Sequence, residues 1–345
     1  MTIINGIEID DIEYIENDIH QAIKNNSPIE EKLNMVICIS NVCQYARRYI
    51  LAKEFIARIE RDYKEEIDLY IVELVYSIAG KSSQHFQVTE KGNRKHLQLT
   101  TDSPALWMKE NMLNLGTKLL PSGWKAVAFC DADIEFDNPH FALDTLKILN
   151  GTRDIVQMFS HCRDLNLDLN PMSIFSSFGY QYTTGKKYSF GGGINYWHPG
   201  FNIAMTREAY EQMNGLYEVS ILGSGDHNLF LSLIQNGIKS VNEEVSEGYK
   251  KSIIDFDLRC RGLRLGYTPG VISHYFHGSK KNRQYSERWK ILVKHQYDPF
   301  IHTTTDDNGL LIPTDKCPSE LLDDIQLYFE SRNEDEYYLE HLMRE

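Results

Sequence analysis

The chain has 345 residues, 42% hydrophobic and 25% charged. That balance supports one large or two ordinary globular domains and excludes disordered, collagenous and disulfide-scaffold classes. Lys and Arg number 36 against 49 Asp and Glu, a net charge of −13, which disfavours a generic basic grip on nucleic acid or on an anionic membrane.

No run reaches the ~18 apolar residues of a transmembrane helix. The acidic start, MTIINGIEIDDIEYIENDIH, lacks the basic-then-apolar order of a signal peptide. Six cysteines, none in a CxxC pair, read as reduced thiols of a cytosol-like compartment. The expected location is cytoplasmic, or host cytoplasm for a viral protein.

Residues 1–32 alternate Ile with acids and predict a short strand or turn and a helix near 9–25, an appended arm. The run 35–40 predicts a buried strand, 43–61 a long helix and 67–75 a second strand. Strand-helix-strand order favours a parallel sheet with right-handed crossovers. Residues 85–100 suggest a hairpin and 105–118 a helix. Strands are expected at 125–130, 155–159 and 201–205, with a long Ser/Gly/Tyr/Asn-rich loop at 163–196 between them. Such a loop is usually functional or mobile, and Gly191 to Gly193 offer hinges for closure over a ligand. Helices follow at about 206–213, 226–235 and 250–265, then a strand at 271–278 and an acidic, helical C-terminus.

Four segments carry chemistry. Asp131-Ala132-Asp133 closes the apolar strand AVAFC. Open α/β sheets bind ligands at the carboxyl ends of their strands, so these acids are either ligands for Mn²⁺ or Mg²⁺ on a diphosphate, or surface aspartates of a turn. Gly223-Ser224-Gly225-Asp226-His227 opens a helix, making Asp226 an N-cap, a general base, or both. His274-Tyr275-Phe276-His277-Gly278 ends a strand and is followed by Lys280, Lys281 and Arg283. Histidine there can complete a metal sphere, and the cations can meet a departing diphosphate or form a solvated loop. Trp197-His198-Pro199-Gly200 is either an aromatic platform or a core tryptophan beside a tight turn.

These segments resemble the GT-A glycosyltransferases, in particular the family-2-like enzymes and the C-terminal galactosyltransferase-type module. The resemblance rests on the Asp131-x-Asp133 pair, His198-Pro199-Gly200-Phe201-Asn202, Arg207-Glu208-Ala209, Asn214-Gly215-Leu216-Tyr217 and Gly223-Ser224-Gly225-Asp226. With Trp107-x-Lys109-Glu110-Asn111 and the His277-Gly278-x-Lys280-x-x-Arg283-x-Tyr285 tail, the chain is also similar to bacterial, phage and large-virus homologues of that group.

The resemblance implies an α/β fold: a Rossmann-like, mostly parallel sheet flanked by helices. The GT-A domain would span 33–295, with extensions at 1–32 and 296–345. It implies a metal-dependent transfer of sugar from a nucleotide sugar, a UDP-sugar, to an acceptor hydroxyl with inversion. Asp226 would be the base, and Asp131, Asp133 and His277 would hold Mn²⁺ or Mg²⁺. Asn41, Glu73, Lys109, Asn111, Asp131, Lys280, Arg283 and Tyr285 would contact the donor; Trp197, His198, Gly225 and His227 would face the acceptor. His227, Glu218 and Asp255 remain alternative bases, and Glu135 and Asp137 competing metal ligands. The acceptor is a saccharide or glycan, or alternatively a hydroxymethylated DNA base. A degenerate nucleotide- or glycan-binding module is the non-enzymatic alternative.

Overall fold

Apolar and β-branched runs form the strands, and alternation along each run sends side chains to opposite sheet faces. The computed structural model describes residues 16–78, 86–189 and 191–335, with the backbone of Thr2–Ile4, Ile7–Ile9 and Lys81–Ser82. In chain order the strands that position the site are β1 (Leu33–Ser40), β2 (Ile67–Ile78), β3 (His96–Thr101), β4 (Ala126–Cys130), β5 (Ile134–Phe136) and β6 (Ile155–Gln157). They continue with β7 (His161–Leu165), β8 (Pro171–Ser177), β9 (Trp197–His198), β10 (Asn202–Thr206), β11 (Leu265–Tyr267) and β12 (Val271–His274). The helices used below are α1 (Ala46–Asp62), α2 (Lys109–Gly116), α3 (Gly225–Leu233), α4 (Glu247–Arg259) and α5 (Ser319–Ser331).

The principal sheet has the order β11-β6-β10-β4-β1-β2-β3. Among these seven all pairs are parallel except those of β10, which runs against both neighbours; the short strand Lys81–Ser82 pairs antiparallel with the end of β2. A second sheet, β9-β8-β7-β12-β5, stands beside it. Both faces of the principal sheet are covered: Val36, Val72, Val127 and Phe129 join one apolar core, and Met35, Ile37, Ile71 and Ala128 the other. This two-sided burial explains the near-continuous apolar sequence of β1, β4 and β10. The molecule is therefore mixed α/β, with a mostly parallel sheet flanked by helices.

Described residues of both terminal segments pack on this body. Ile19 and Ala22 enter one core; Leu321, Ile325, Tyr328 and Phe329 of α5, at helical spacing, enter the other.

Several local expectations are corrected. The segment 85–100 forms no hairpin among the described residues; its strand β3 pairs parallel with β2, and Glu73 holds the preceding loop. The expected loop at 163–196 contains an antiparallel hairpin, β7 with β8, and a helix Phe178–Thr183. Helix α4 begins at Glu247 and ends at Arg259, leaving room for β11, which the pattern did not suggest. The C-terminal stretch includes a small hairpin, Thr303–Thr305 with Leu311–Pro313. All six cysteines are unbridged. Among the described residues no helix is long and apolar enough to cross a membrane.

Helix α2 reaches the sheet through Gly116, where a Cβ would meet Val36 Cγ1 at 2.4 Å and Val72 Cγ2 at 2.9 Å. Gly116→Ala is expected to destabilise the protein by about 1–3 kcal/mol, the usual cost of overpacking. Chemical denaturation checks this, and an unchanged midpoint would contradict the close approach of α2 to the sheet.

Candidate active site

The apolar strands β1 and β4 end together at one edge of the principal sheet, and a cleft of about 1020 Å³ opens there. Strand β4 stops at Cys130, and the Asp131 amide donates to the Phe201 carbonyl at 2.7 Å. Three residues later the chain is already in β5 of the second sheet. The Asp131-Ala132-Asp133 segment is thus the hinge between the sheets. Its Asp133 carbonyl accepts the Tyr275 amide at 2.9 Å, which fixes it next to the end of β12.

Register then assembles a donor set. Strand β12 pairs antiparallel with β5, His274 opposite Ile134, and parallel with β7, His274 opposite Asp164. His274 Nδ1 lies 2.7 Å from Asp164 Oδ1. A carboxylate only accepts, so Nδ1 carries the proton and Nε2 keeps its lone pair. Nε2 lies 3.9 Å from Asp133 Oδ2, and His277 Nε2 lies 2.9 Å from the same oxygen. Asp133, His274 and His277 offer ligand atoms within 4.8 Å of one another.

Two buried polar atoms in this group, Asp133 Oδ1 and His274 Nε2, have no hydrogen-bond partner. Such orphans are costly, and a cation would satisfy both. One carboxylate and two imidazoles suit Mn²⁺ or another first-row transition ion better than Mg²⁺, which prefers oxygen ligands. Burial works against the Asp133 charge, but His277, His274 and Arg283 outweigh it and hold its carboxyl well below the usual range. Burial lowers the His274 pKa against the pull of Asp164 and Asp133, which keeps the imidazole neutral, the form that ligates.

Asp131 is engaged differently. It forms an ion pair with Lys109 at the start of α2. Burial, opposed by Lys109, raises its pKa. It is absent from the cluster of Asp133, His274 and His277.

Asp226 lies in the first turn of α3, whose N-cap position is taken by Ser224 at φ 80°. The N-cap alternative for Asp226 therefore falls away. Its Oδ1 takes the His227 amide at 2.7 Å. Its Oδ2 lies over Gly200, where a Cβ would come within 2.8 Å. Asp226 and His227 both line the cleft.

Among the remaining expected site residues, Asn41, Lys109, His198, Lys280, Arg283 and Tyr285 line the cleft. Asn41 spends its amide on the Tyr45 backbone, at 2.8 and 2.9 Å. His198 stacks on Phe201 and Phe175, and burial drives its pKa down to about 3. Lys280 is held by Asp164 at 2.5 Å. Of the loop read as a lid, Asp164, Ser173, Phe175, Gly193 and Tyr196 reach the cleft.

Others do not line it. Glu73 is fully buried and accepts from the Val88 and Thr89 amides, both at 3.0 Å. Asn111 ties Glu218, Gly309 and Leu311 together, which also occupies Glu218. Trp197 packs edge-on against Phe178 with ring centroids 5.0 Å apart. Gly225 has Glu110 where its Cβ would be. Glu135 is bonded by Tyr275 and Asp137 by Arg163, and neither belongs to the cluster of Asp133, His274 and His277. Asp255 is exposed on α4.

Sequence reasoning did not assign His274, Glu110, Arg48, Arg288 or Arg332, all of which line the cleft. His274 carried a signal in the strand-end motif, Glu110 in Trp107-x-Lys109-Glu110-Asn111, and Arg288 in the run of cations after His277; Arg48 and Arg332 carried none.

No protein-family model matches the chain, and no curated protein matches it. Among solved structures, it is similar to the catalytic domain of Drosophila beta-1,4-galactosyltransferase 7 in complex with xylobiose, at 11% identity and a TM-score of 0.40, over 86% of this chain and 99% of that one. A mutant of the Drosophila enzyme in complex with manganese, UDP-Gal and xylobiose gives 10% identity and a TM-score of 0.40, over 85% and 98%. Similarity of that degree fixes neither fold nor chemistry, which rest here on the chain's own strand order and side chains.

Glu110 is buried beside Gly225, and burial, opposed by Lys109 and reinforced by Asp226, pushes its pKa up from 4.5 to about 7. A carboxyl with a raised folded-state pKa gives stability that is complete below the unfolded value and lost as pH rises through the folded one. Wild type should therefore lose up to about 3 kcal/mol relative to Glu110→Gln between pH ~4.5 and ~7. Thermal midpoints of both proteins across that range test it; parallel profiles would rule out the shift.

Proposed function

We propose that the protein is a metal-dependent, GT-A-type glycosyltransferase. It moves a sugar from a nucleotide sugar, a UDP-sugar, to a hydroxyl of a saccharide acceptor. The observation that carries this reading is the pair of orphaned, buried ligand atoms on Asp133 and His274, sharing one cleft with Asp226 at a helix start. Support also comes from the position of the cleft at the carboxyl ends of β1 and β4, where open α/β sheets bind nucleotides.

In this reading Asp133, His274 and His277 hold the ion, in place of the expected Asp131, Asp133 and His277. When bound, the ion supplies positive charge against the diphosphate of the donor. The chain's own residues do the rest. Asp164 keeps the His274 ring oriented and its Nε2 unprotonated. Lys109 neutralises Asp131, so that two carboxylates do not crowd the donor with negative charge. Asp226 takes the proton of the acceptor hydroxyl as the new C–O bond forms at the anomeric carbon. The bond to the diphosphate breaks on the opposite side, its electron pair leaving with the nucleotide, and the anomeric configuration inverts.

Asp226→Asn should lower turnover by about 10²–10⁴-fold, the range of a lost general base, while leaving UDP binding intact. Asp133→Ala should remove the Mn²⁺-dependent rise in thermal midpoint that a bound nucleotide produces. Sugar-transfer assays and thermal unfolding with a panel of nucleotide sugars read both. Undiminished Mn²⁺-dependent nucleotide binding by Asp133→Ala would refute the ligand assignment, and wild-type turnover by Asp226→Asn would refute the base.

A further inference from the structure

Residues 332–335, just beyond α5, return to the cleft and are fastened there. Asp335 accepts from the amides of Ala46 and Arg47 at the start of α1, at 2.8 and 3.0 Å. Tyr45 donates its hydroxyl to the carbonyl of Phe329 and accepts from the Asn333 amide, at 2.9 and 3.0 Å. This delivers Arg332 and Glu334, which are 5% and 3% exposed. Glu334 receives Arg48 through two hydrogen bonds, at 2.5 and 2.7 Å, and lies 3.6 Å from His277 Nδ1.

Arg48, Arg283, Arg288 and Arg332 all line the cleft. Glu334 pairs with both Arg48 and Arg332, so one carboxylate serves two guanidiniums. Arg332 Nε comes within 2.8 Å of Glu334 without hydrogen-bond geometry. Burial lowers the Arg332 pKa despite Glu334 beside it, the sign of a charge short of partners.

Hydrogen-bond accounting agrees. Three buried donors in this part of the lining, Arg283 Nε, Arg332 Nε and Trp107 Nε1, have no acceptor. The Arg332 guanidinium lies 5.3 Å from the Trp107 ring centre, which joins two of them. A ligand that suits such a group is anionic and rich in acceptors. Phosphate oxygens meet both conditions, and planar guanidinium suits them.

We propose that Arg332 and Trp107, with Arg283 and Arg288, form the diphosphate-binding part of the donor site, with Glu334 positioning Arg332 and Arg48. The C-terminal segment 319–335 is then a component of the substrate site, and its hold on diphosphate does not require the metal. Lys280, expected in this role, is committed to Asp164. The proposal rests on the nucleotide-sugar reading for the identity of the ligand.

The test is isothermal titration of the full-length protein with inorganic diphosphate, and then UDP, in the presence of a chelator. Wild type is expected to bind both without metal. Arg332→Gln should weaken both by tenfold or more, and Trp107→Phe, which keeps a ring under the guanidinium but removes the N–H, by about threefold to tenfold. Mn²⁺ affinity, read from the electron paramagnetic resonance of the free ion, should stay at the wild-type value in both variants, which separates a binding role from general damage. Diphosphate binding that needs Mn²⁺, or wild-type affinity in both variants, would overturn the proposal. Metal-free diphosphate binding without turnover of any nucleotide sugar would support this anion site and sink the transferase reading. Sugar transfer with an unchanged donor KM in Arg332→Gln would do the reverse.

Discussion

The contact between His274 and Asp164 orders the end of the cleft that holds Asp133 and His277. It joins two parallel neighbours, β7 and β12, at directly opposed positions. A one-residue slip of either strand would send its side chain to the other face of the sheet and part the pair. With the pair in place, the imidazole is neutral, its proton is on Nδ1, and Nε2 faces Asp133. Lys280 closes the other Asp164 oxygen at 2.5 Å, so the buried carboxylate is compensated on both sides. A buried charge with partners is tolerable; one without them is not.

That contact acts where two sheets meet. Asp131 to Asp133 spans the gap between β4 and β5, and the two acids separate accordingly. Asp131 turns to Lys109 on α2, and Asp133 turns to the histidines of the second sheet. An i, i+2 spacing on one strand would put both acids on one face. Here the strand has ended, so the spacing no longer implies a shared ligand. The same break in regularity lets Asp133 join residues 141 and 144 positions away in the chain.

The C-terminal segment shows how packing carries distant residues to the cleft. Its α5 helix fills the core with Leu321, Ile325 and Tyr328, and apolar burial of that kind is what anchors a terminus. Once anchored, the next few residues are carried to the cleft with fixed geometry. Arg332 and Glu334 can then be nearly fully buried, because the helix before them and the Asp335 bonds to α1 after them hold the backbone.

Local pattern by itself determined the α/β class, the buried strands β1, β4 and β10, helices α1 to α3, and the candidacy of Asp133, Asp226 and His277. Each of these follows from the period of apolar residues or from a short motif at an element end, which neighbouring residues suffice to specify. Only the tertiary structure decided which residues share a site. It put His274 beside Asp133, took Glu73 and Asn111 into loop-holding bonds, buried Trp197 in an aromatic core, and brought Arg332 to the cleft from the far end of the chain. The physical reason is range: strand register, sheet junction and helix docking are set by contacts between residues far apart in sequence, and no local pattern encodes which distant partner a side chain will meet.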